Sequence, residues 1–203
     1  MLGALHRAAK NIVRGSTMDR RQRRTRKAIY QAFEELVGER HYASITVGEI
    51  IERADIGRST FYAHFATKDE LLDQMCTEMF AHVFEGVETD AHTHEALEAV
   101  TLEGMLAHLL WHLRDNHKGI CGKLLAEGEP HFTAHFRQLL SDFFSPRLPE
   151  RSSWVPRDLM LSLAVSSFCE TISWWHAQGY QASPEQLAHW YARTLGWPVQ
   201  SRS

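Results

Sequence analysis

Between Ile45 and Leu72 the chain reads ITVGEIIERADIGRSTFYAHFATKDELL, and no other stretch limits the fold as much. It holds two short helical patterns joined by a tight turn, with a third helix starting just after. The first pattern begins at Thr46, a good N-cap, and Glu49 stands three places on as the reciprocal half of a capping box. Ile50, Ile51 and Ala54 give that helix an apolar face. Asp55-Ile56-Gly57 interrupts it, with the glycine expected to supply the backbone freedom of a sharp turn. Arg58 to Phe65 makes the second helix, with Phe61 and Phe65 four apart on one side and Arg58, Ser59, Thr60, Tyr62 and His64 left for other faces. This is the layout of a helix-turn-helix, whose second helix enters a DNA major groove. The spacing alone also occurs in proteins that never touch DNA. The outward set shifts the balance, because these side chains hydrogen-bond to base edges or phosphates.

Charge is distributed as such a reading requires. The 203-residue chain has a formal net charge of -3, which argues against a protein that simply coats nucleic acid. Residues 1–30 nevertheless hold 9 Lys and Arg against 1 acidic residue. Through Met75 the tally is 13 basic and 10 acidic, net +3; beyond it, 9 against 15, net -6. The front of the chain attracts phosphate and the remainder repels it, which suggests a two-part molecule.

The pattern Thr46-x-x-x-Ile50, Ala54-x-x-Gly57-x-Ser59-Thr60-Phe61-Tyr62-x-His64-Phe65-x-x-Lys68-x-Glu70-Leu71-Leu72 resembles the DNA-binding domain of the TetR family of bacterial regulators. The match runs from about Arg20 to Met75; beyond it the likeness is generic. The resemblance implies an all-α protein: an N-terminal three-helix DNA-binding domain joined to a C-terminal helical ligand-binding and dimerisation domain. We place a basic tail at residues 1–17, the DNA-binding domain at 18–66 and the regulatory domain at 67–203. By motif position, Arg58 is expected to read a base, Ser59 and Thr60 a base or the backbone, and Thr46, Tyr62, His64 and Lys68 phosphates. The implied partners are double-stranded DNA carrying a palindromic operator, a second copy of the chain, and a small-molecule effector of unknown identity. Repression is the family's usual direction, with activators among its members, and the expected compartment is the cytoplasm.

Three readings compete for residues 1–17: an organellar presequence, a DNA-contacting arm, or a loosely held tail upstream of Met18, of which the last is favoured. From Asp19 a cluster of Arg20, Arg21, Arg23, Arg24, Arg26 and Lys27 passes into a stripe of Ile29, Phe33, Leu36 and Val37 at helical spacing. One or two of those cations are expected at phosphates. Thr67 and Glu70 predict a capped helix running to about Glu88, and by resemblance this helix joins the two domains. Residues 90–96 read as a loop before a helix whose apolar set runs from Leu97 to Leu113. HKGICGKLLAEGEP predicts a broken or short helix, Pro130 to Phe144 a regular one, and SPRLPERSSWVP a loop. Arg157 to Gln178 is a long apolar helix ended by Gly179. Ser183-Pro184-Glu185-Gln186 opens a last helix carrying Leu187, Trp190, Tyr191 and Leu195. By resemblance these two terminal helices form the dimer interface, with Phe168, Trp174, Leu187, Trp190 and Tyr191 as its candidates.

Other chemistry finds less support. Cys76, Cys121 and Cys169 are far apart with no C-x-x-C, which suggests reduced thiols. No stretch approaches the roughly 18 apolar residues of a membrane span. No phosphate-binding glycine loop or nucleophile elbow occurs, so no enzyme and no cofactor are implied. His92/His94, His108/His112 and His131/His135 have chelating spacings, but without a further ligand motif no metal site is assigned. The competing reading is a helical metal- or ligand-binding protein with no DNA role. A ligand pocket between helices has Met79, Phe80, Phe84, Met105, His108, Trp111, His112, Phe132, Phe136, Phe168 and Trp175 as candidates, most of which double as ordinary core.

Overall fold

A computed structural model describes residues 20–85, 101–116, 119–148 and 155–196. The tail 1–17, the expected loop 90–96, Leu97 and His92/His94 lie outside them. Every regular element among the described residues is helical. Helix α1 (Arg20–Glu39) buries the expected stripe of Ile29, Phe33, Leu36 and Val37, with Ala32 beside it. A 3-10 turn at Tyr42–Ser44 leads to α2 (Val47–Arg53), where the Thr46 hydroxyl accepts from the Glu49 amide and the Glu49 carboxylate accepts from the Thr46 amide.

The turn that follows differs from expectation in one respect. Gly57 has φ -75°, an ordinary extended conformation, and acts as N-cap of α3 (Arg58–Tyr62). The left-handed residue is Asp55, at φ 50°. Aspartate tolerates that region better than most side chains, so the freedom assigned to the glycine is supplied two residues earlier. Helix α3 is also shorter than Arg58–Phe65; past Tyr62 the chain continues as turns, with the Phe65 amide donating to the Phe61 carbonyl at 2.9 Å.

Helix α4 (Lys68–Glu85) is capped by Thr67, whose hydroxyl accepts from the Glu70 amide at 3.0 Å. The Glu70 carboxylate reaches back to the amide of Ala66 at 2.7 Å, one residue before the cap. Helix α5 (Leu102–Trp111) starts at the Thr101 cap and loosens into a π-helical turn at His112–Asn116. Helix α6 is the expected short one, Ile120–Ala126, and α7 is Pro130–Phe144, with a 3-10 turn at Ser145–Arg147 beginning the loop behind it. Helices α8 (Arg157–Ala177) and α9 (Pro184–Thr194) close the chain, the latter with a complete Ser183/Gln186 capping box and Pro184 in its first turn.

Apolar contact runs unbroken from Ile29 in α1 to Tyr191 in α9. Helix α4 packs on α7, α5 on α9, and α6 and α7 on α8. Aromatic rings carry much of this: Phe132 stacks on Phe136 at 5.1 Å, Phe136 meets Phe80 edge-on at 5.6 Å, and Phe168 meets Tyr191 at 4.9 Å. Each such pair adds about 0.5–1.5 kcal/mol beyond its buried area. Two of the buried aromatic side chains also place their polar atoms: the Trp175 indole donates to the Ala182 carbonyl at 2.9 Å, and the Tyr191 hydroxyl to that of Ala164. All three cysteines are free and buried.

Candidate nucleic-acid interface

The helix-turn-helix presents its polar side chains outward because its apolar ones are fully used inward. Phe61 and Phe65 are buried with ring centroids 5.9 Å apart, under α1 and against Tyr30. That anchors α3 through one side and leaves Arg58, Ser59 and Tyr62 exposed, with Thr60 and His64 half-buried. Thr46 is exposed at the start of α2. Arg58 to His64 thus lie together on α3 and the turn behind it, and Thr46 stands apart at the α2 N-terminus.

His64 is pulled below its ordinary pKa of 6.5, first by burial and then by the nearby Arg26 guanidinium. Glu49 is also held below the usual carboxylate value, chiefly by the Thr46 amide and hydroxyl and then by Arg40, which pairs with it at 2.6 Å. Arg53 forms a two-pronged pair with Glu39, at 2.8 and 2.9 Å, and fastens α2 to α1. Glu39 and Glu49 are therefore occupied by arginines.

Lys68 and one cation of the basic cluster make their hydrogen bonds within the protein. The Lys68 ammonium donates to the carbonyls of Tyr42 at 2.8 Å and Ile45 at 2.9 Å, and lies 4.3 Å from the Tyr42 ring centroid. The Tyr42 hydroxyl, kept protonated by burial and by its bond to Asp69, ties the same turn to α4. Arg26, one of the cluster at the start of α1, turns inward: it bonds to Gln74 at 3.1 Å, Tyr30 at 2.6 Å and Glu78, and covers the Phe65 ring at 5.0 Å. It joins α1, α4 and the end of the recognition segment, with 14% of its side chain exposed. Arg20, Arg21, Arg23, Arg24 and Lys27 remain exposed.

The interior and the far end sort the remaining candidates. Met79, Phe80, Met105, His112, Phe132, Phe136, Phe168 and Trp175 are buried, and His108 and Trp111 half-buried. The Phe84 side chain lies outside the described part. His108 and His112 bring their Nε2 atoms to 3.0 Å, so one imidazole donates to the other. His131 Nε2 lies 3.0 Å and His135 Nδ1 3.8 Å from the Asp73 carboxylate, which makes this pair a clasp between α7 and α4. Among the described residues no group of three or more His, Cys, Asp or Glu converges in a metal-holding arrangement. None of their helices is long and apolar enough to cross a membrane.

The interface candidates divide. Phe168, Leu187 and Tyr191 are buried within the single chain as part of its core, and the Phe168 and Tyr191 rings pack on each other and on Phe144 of α7. Trp174 and Trp190 are 46% and 47% exposed. Sequence reasoning did not single out Leu159 and Leu163, which are exposed on α8 and lie toward the side of Trp174 by steps of four residues to 171 and a last step of three. An apolar residue type does not reveal which side of a helix with apolar residues all round its own chain leaves uncovered.

Comparison with known proteins places this geometry. The family described as bacterial regulatory proteins, tetR family, matches residues 26–75, and that described as transcriptional regulator C-terminal region matches residues 100–195. A TetR transcriptional regulator from Streptococcus agalactiae 2603V is 34% identical; its crystal structure superposes with a TM-score of 0.67, covering 87% of this chain and 96% of that one. The uncharacterized HTH-type transcriptional regulator YxbF of Bacillus subtilis (strain 168) is 42% identical over 71 residues, 32% of this chain and 19% of that protein. The dhaKLM operon transcriptional activator DhaS of Lactococcus lactis subsp. lactis (strain IL1403) is 37% identical over 59 residues, 29% of this chain and 32% of that protein. The matches to these two curated relatives thus span only about a fifth and a third of their lengths.

Proposed function

The chain belongs to the TetR family of bacterial transcriptional regulators, and from that premise we propose that it is a homodimeric, sequence-specific DNA-binding switch acting in the cytoplasm. The observation that carries this is the exposed polar row on α3, Arg58, Ser59 and Tyr62, anchored from behind by buried Phe61 and Phe65. A rigid helix with Arg, Ser and Tyr outward suits groove insertion, where an arginine fork pairs with guanine O6 and N7. Ser59 and Thr60 flank that contact; Thr46, Tyr62 and His64 meet phosphates and set the register. Lys68 supports them by holding the Tyr42 and Ile45 carbonyls, which keeps Thr46 at the groove edge. In a twofold dimer joined through α8 and α9 the two α3 helices stand about 34–36 Å apart and read a palindrome. The division of labour falls near residue 66, with recognition before it and ligand sensing and dimerisation after it.

A small-molecule effector, in this reading, enters the helical body near Met79, Phe80, Met105, Trp111 and Phe136. The buried His112 with its partner His108 supplies a polar mark in an apolar surrounding. The effector binds the conformer whose recognition helices are wrongly spaced, so operator affinity falls by that differential binding energy. Repression relieved by ligand is the first reading of direction. The identity with an operon activator over 59 residues favours activation as the second, and a transcription assay on the operator with and without the protein separates them.

The deciding experiment is selection of bound duplexes from a random-sequence pool at physiological salt. A recovered palindrome with half-sites one helical turn apart is the expected outcome. Binding that is blind to sequence and only sensitive to salt defeats the proposal.

A further inference from the structure

The corner between α1 and α2 is organised around two ammonium groups that come from elsewhere in the chain. Lys68 of α4 takes the carbonyls of Tyr42 and Ile45. Lys123 of α6 donates to the carbonyls of Val37, Gly38 at 3.3 Å and Arg40 at 3.1 Å. The last carbonyls of a helix lack intrahelical partners and carry the negative end of its dipole, so Lys123 closes the C-terminus of α1. Glu127, the C-cap of α6, lies 3.7 Å from the same ammonium and 3.2 Å from His41 in the corner. Helix α6 and its C-cap therefore both hold the corner.

Helix α6 is itself seated firmly on α8. It is bounded by Gly119 at φ 72° and Gly128 at φ 66°. The Tyr180 hydroxyl, just beyond α8, donates to the Gly119 carbonyl at 2.9 Å and lies 3.0 Å from His176 Nδ1. A Cβ at Gly119 or Gly122 would stand 2.5 Å from that hydroxyl, and at Gly122 also 2.8 Å from the His176 Cβ. Both glycines are thus needed for α6 to approach so closely.

We propose that Lys123 is a positioning residue for DNA recognition: acting through α6, it fixes the α1–α2 corner relative to α8, and so sets the spacing of the two recognition helices in a dimer. Helix α4 with Lys68 is one link between the two parts of the chain; Lys123 is a second link that bypasses it. The inference rests on the DNA-binding reading above.

The test uses palindromes built from the sequence the parent protein selects, with the half-site spacing changed one base pair at a time. Lys123→Met is expected to lower affinity for the best spacing by about tenfold and to flatten the preference among spacings, from loss of charge-assisted hydrogen bonds. Lys123→Arg should keep the parent's order of spacings, and Tyr180→Phe should show the same flattening in smaller degree. Thermal midpoints separate position from stability. A Lys123→Met profile that keeps its shape, whether unchanged or uniformly weaker alongside a lowered midpoint, overturns the proposal. Should Lys123→Met not fold, a parent-like profile in Tyr180→Phe overturns it instead. A parent that selects no palindrome defeats the regulator reading, and amide exchange then decides this one. Tyr180→Phe should raise exchange over residues 38–46, and unaltered protection there counts against the link.

Discussion

The face of α3 and the outer face of α8 and α9 are both exposed in the single chain, and they differ in what exposure costs them. Arg58, Ser59 and Tyr62 are content in water. Trp174, Trp190, Leu159 and Leu163 are not, since large exposed apolar side chains on the terminal helices are candidates for an association site. In the proposed reading one face binds a polyanion in a salt-dependent way, and the other is covered by a second copy of the chain. A regulator needs both, because the apolar face sets the geometry within which the polar face reads.

That contrast can be broken first at its apolar side. Replacing Trp174 and Trp190 together by Glu should weaken self-association by more than about a hundredfold, as loss of a buried interface aromatic costs about 2 kcal/mol or more. Operator affinity should fall with it, and sedimentation equilibrium reads the dimer directly. A double variant as dimeric as the parent at the same concentration would falsify the assignment of this face. On the polar side, Arg58→Ala should cost roughly 1–3 kcal/mol and relax preference at one operator position while leaving the dimer intact. Specificity unchanged on every sequence removes Arg58 from base readout. Lys68→Ala tests whether the corner matters: it should weaken binding evenly across sequences and lower stability by roughly 1–2 kcal/mol, because carbonyls that accepted from a charged group lose it. A change confined to one base position would point instead to direct readout.

The smallest effect concerns pH. With its pKa below 6.5 in the free protein, His64 is neutral near pH 7. A neighbouring phosphate favours the imidazolium, so operator affinity should rise as pH falls below about 6.5. Folding responds with the opposite sign. A histidine whose folded pKa is depressed contributes stability that is present above 6.5 and lost as pH falls through that value toward the folded one. His64→Gln should remove both slopes, and a titration of affinity against pH that keeps its slope in the variant assigns it to another group.

Local rules made much of this molecule legible. The Thr46/Glu49 and Ser183/Gln186 boxes, the Ile29 to Val37 stripe and the short helix in HKGICGKLLAEGEP all appear as read, because each depends on residues within a turn or two of one another. Gly57 shows where a local rule misled: glycine and aspartate both admit left-handed backbone, and composition alone does not say which residue of a turn takes it.

Thus Ile45 to Leu72 determined by itself that the chain carries a helix-turn-helix and which side chains it turns outward, since capping, period and turn are short-range physics. Only the tertiary structure decided that Lys68 and Arg26 work inward, that Phe168, Leu187 and Tyr191 are core while Trp174 and Trp190 are surface, and that Lys123 closes a helix far away in sequence. A long cation can satisfy a phosphate or a carbonyl equally well. Which one it meets depends on what the rest of the chain brings within about 3 Å of it.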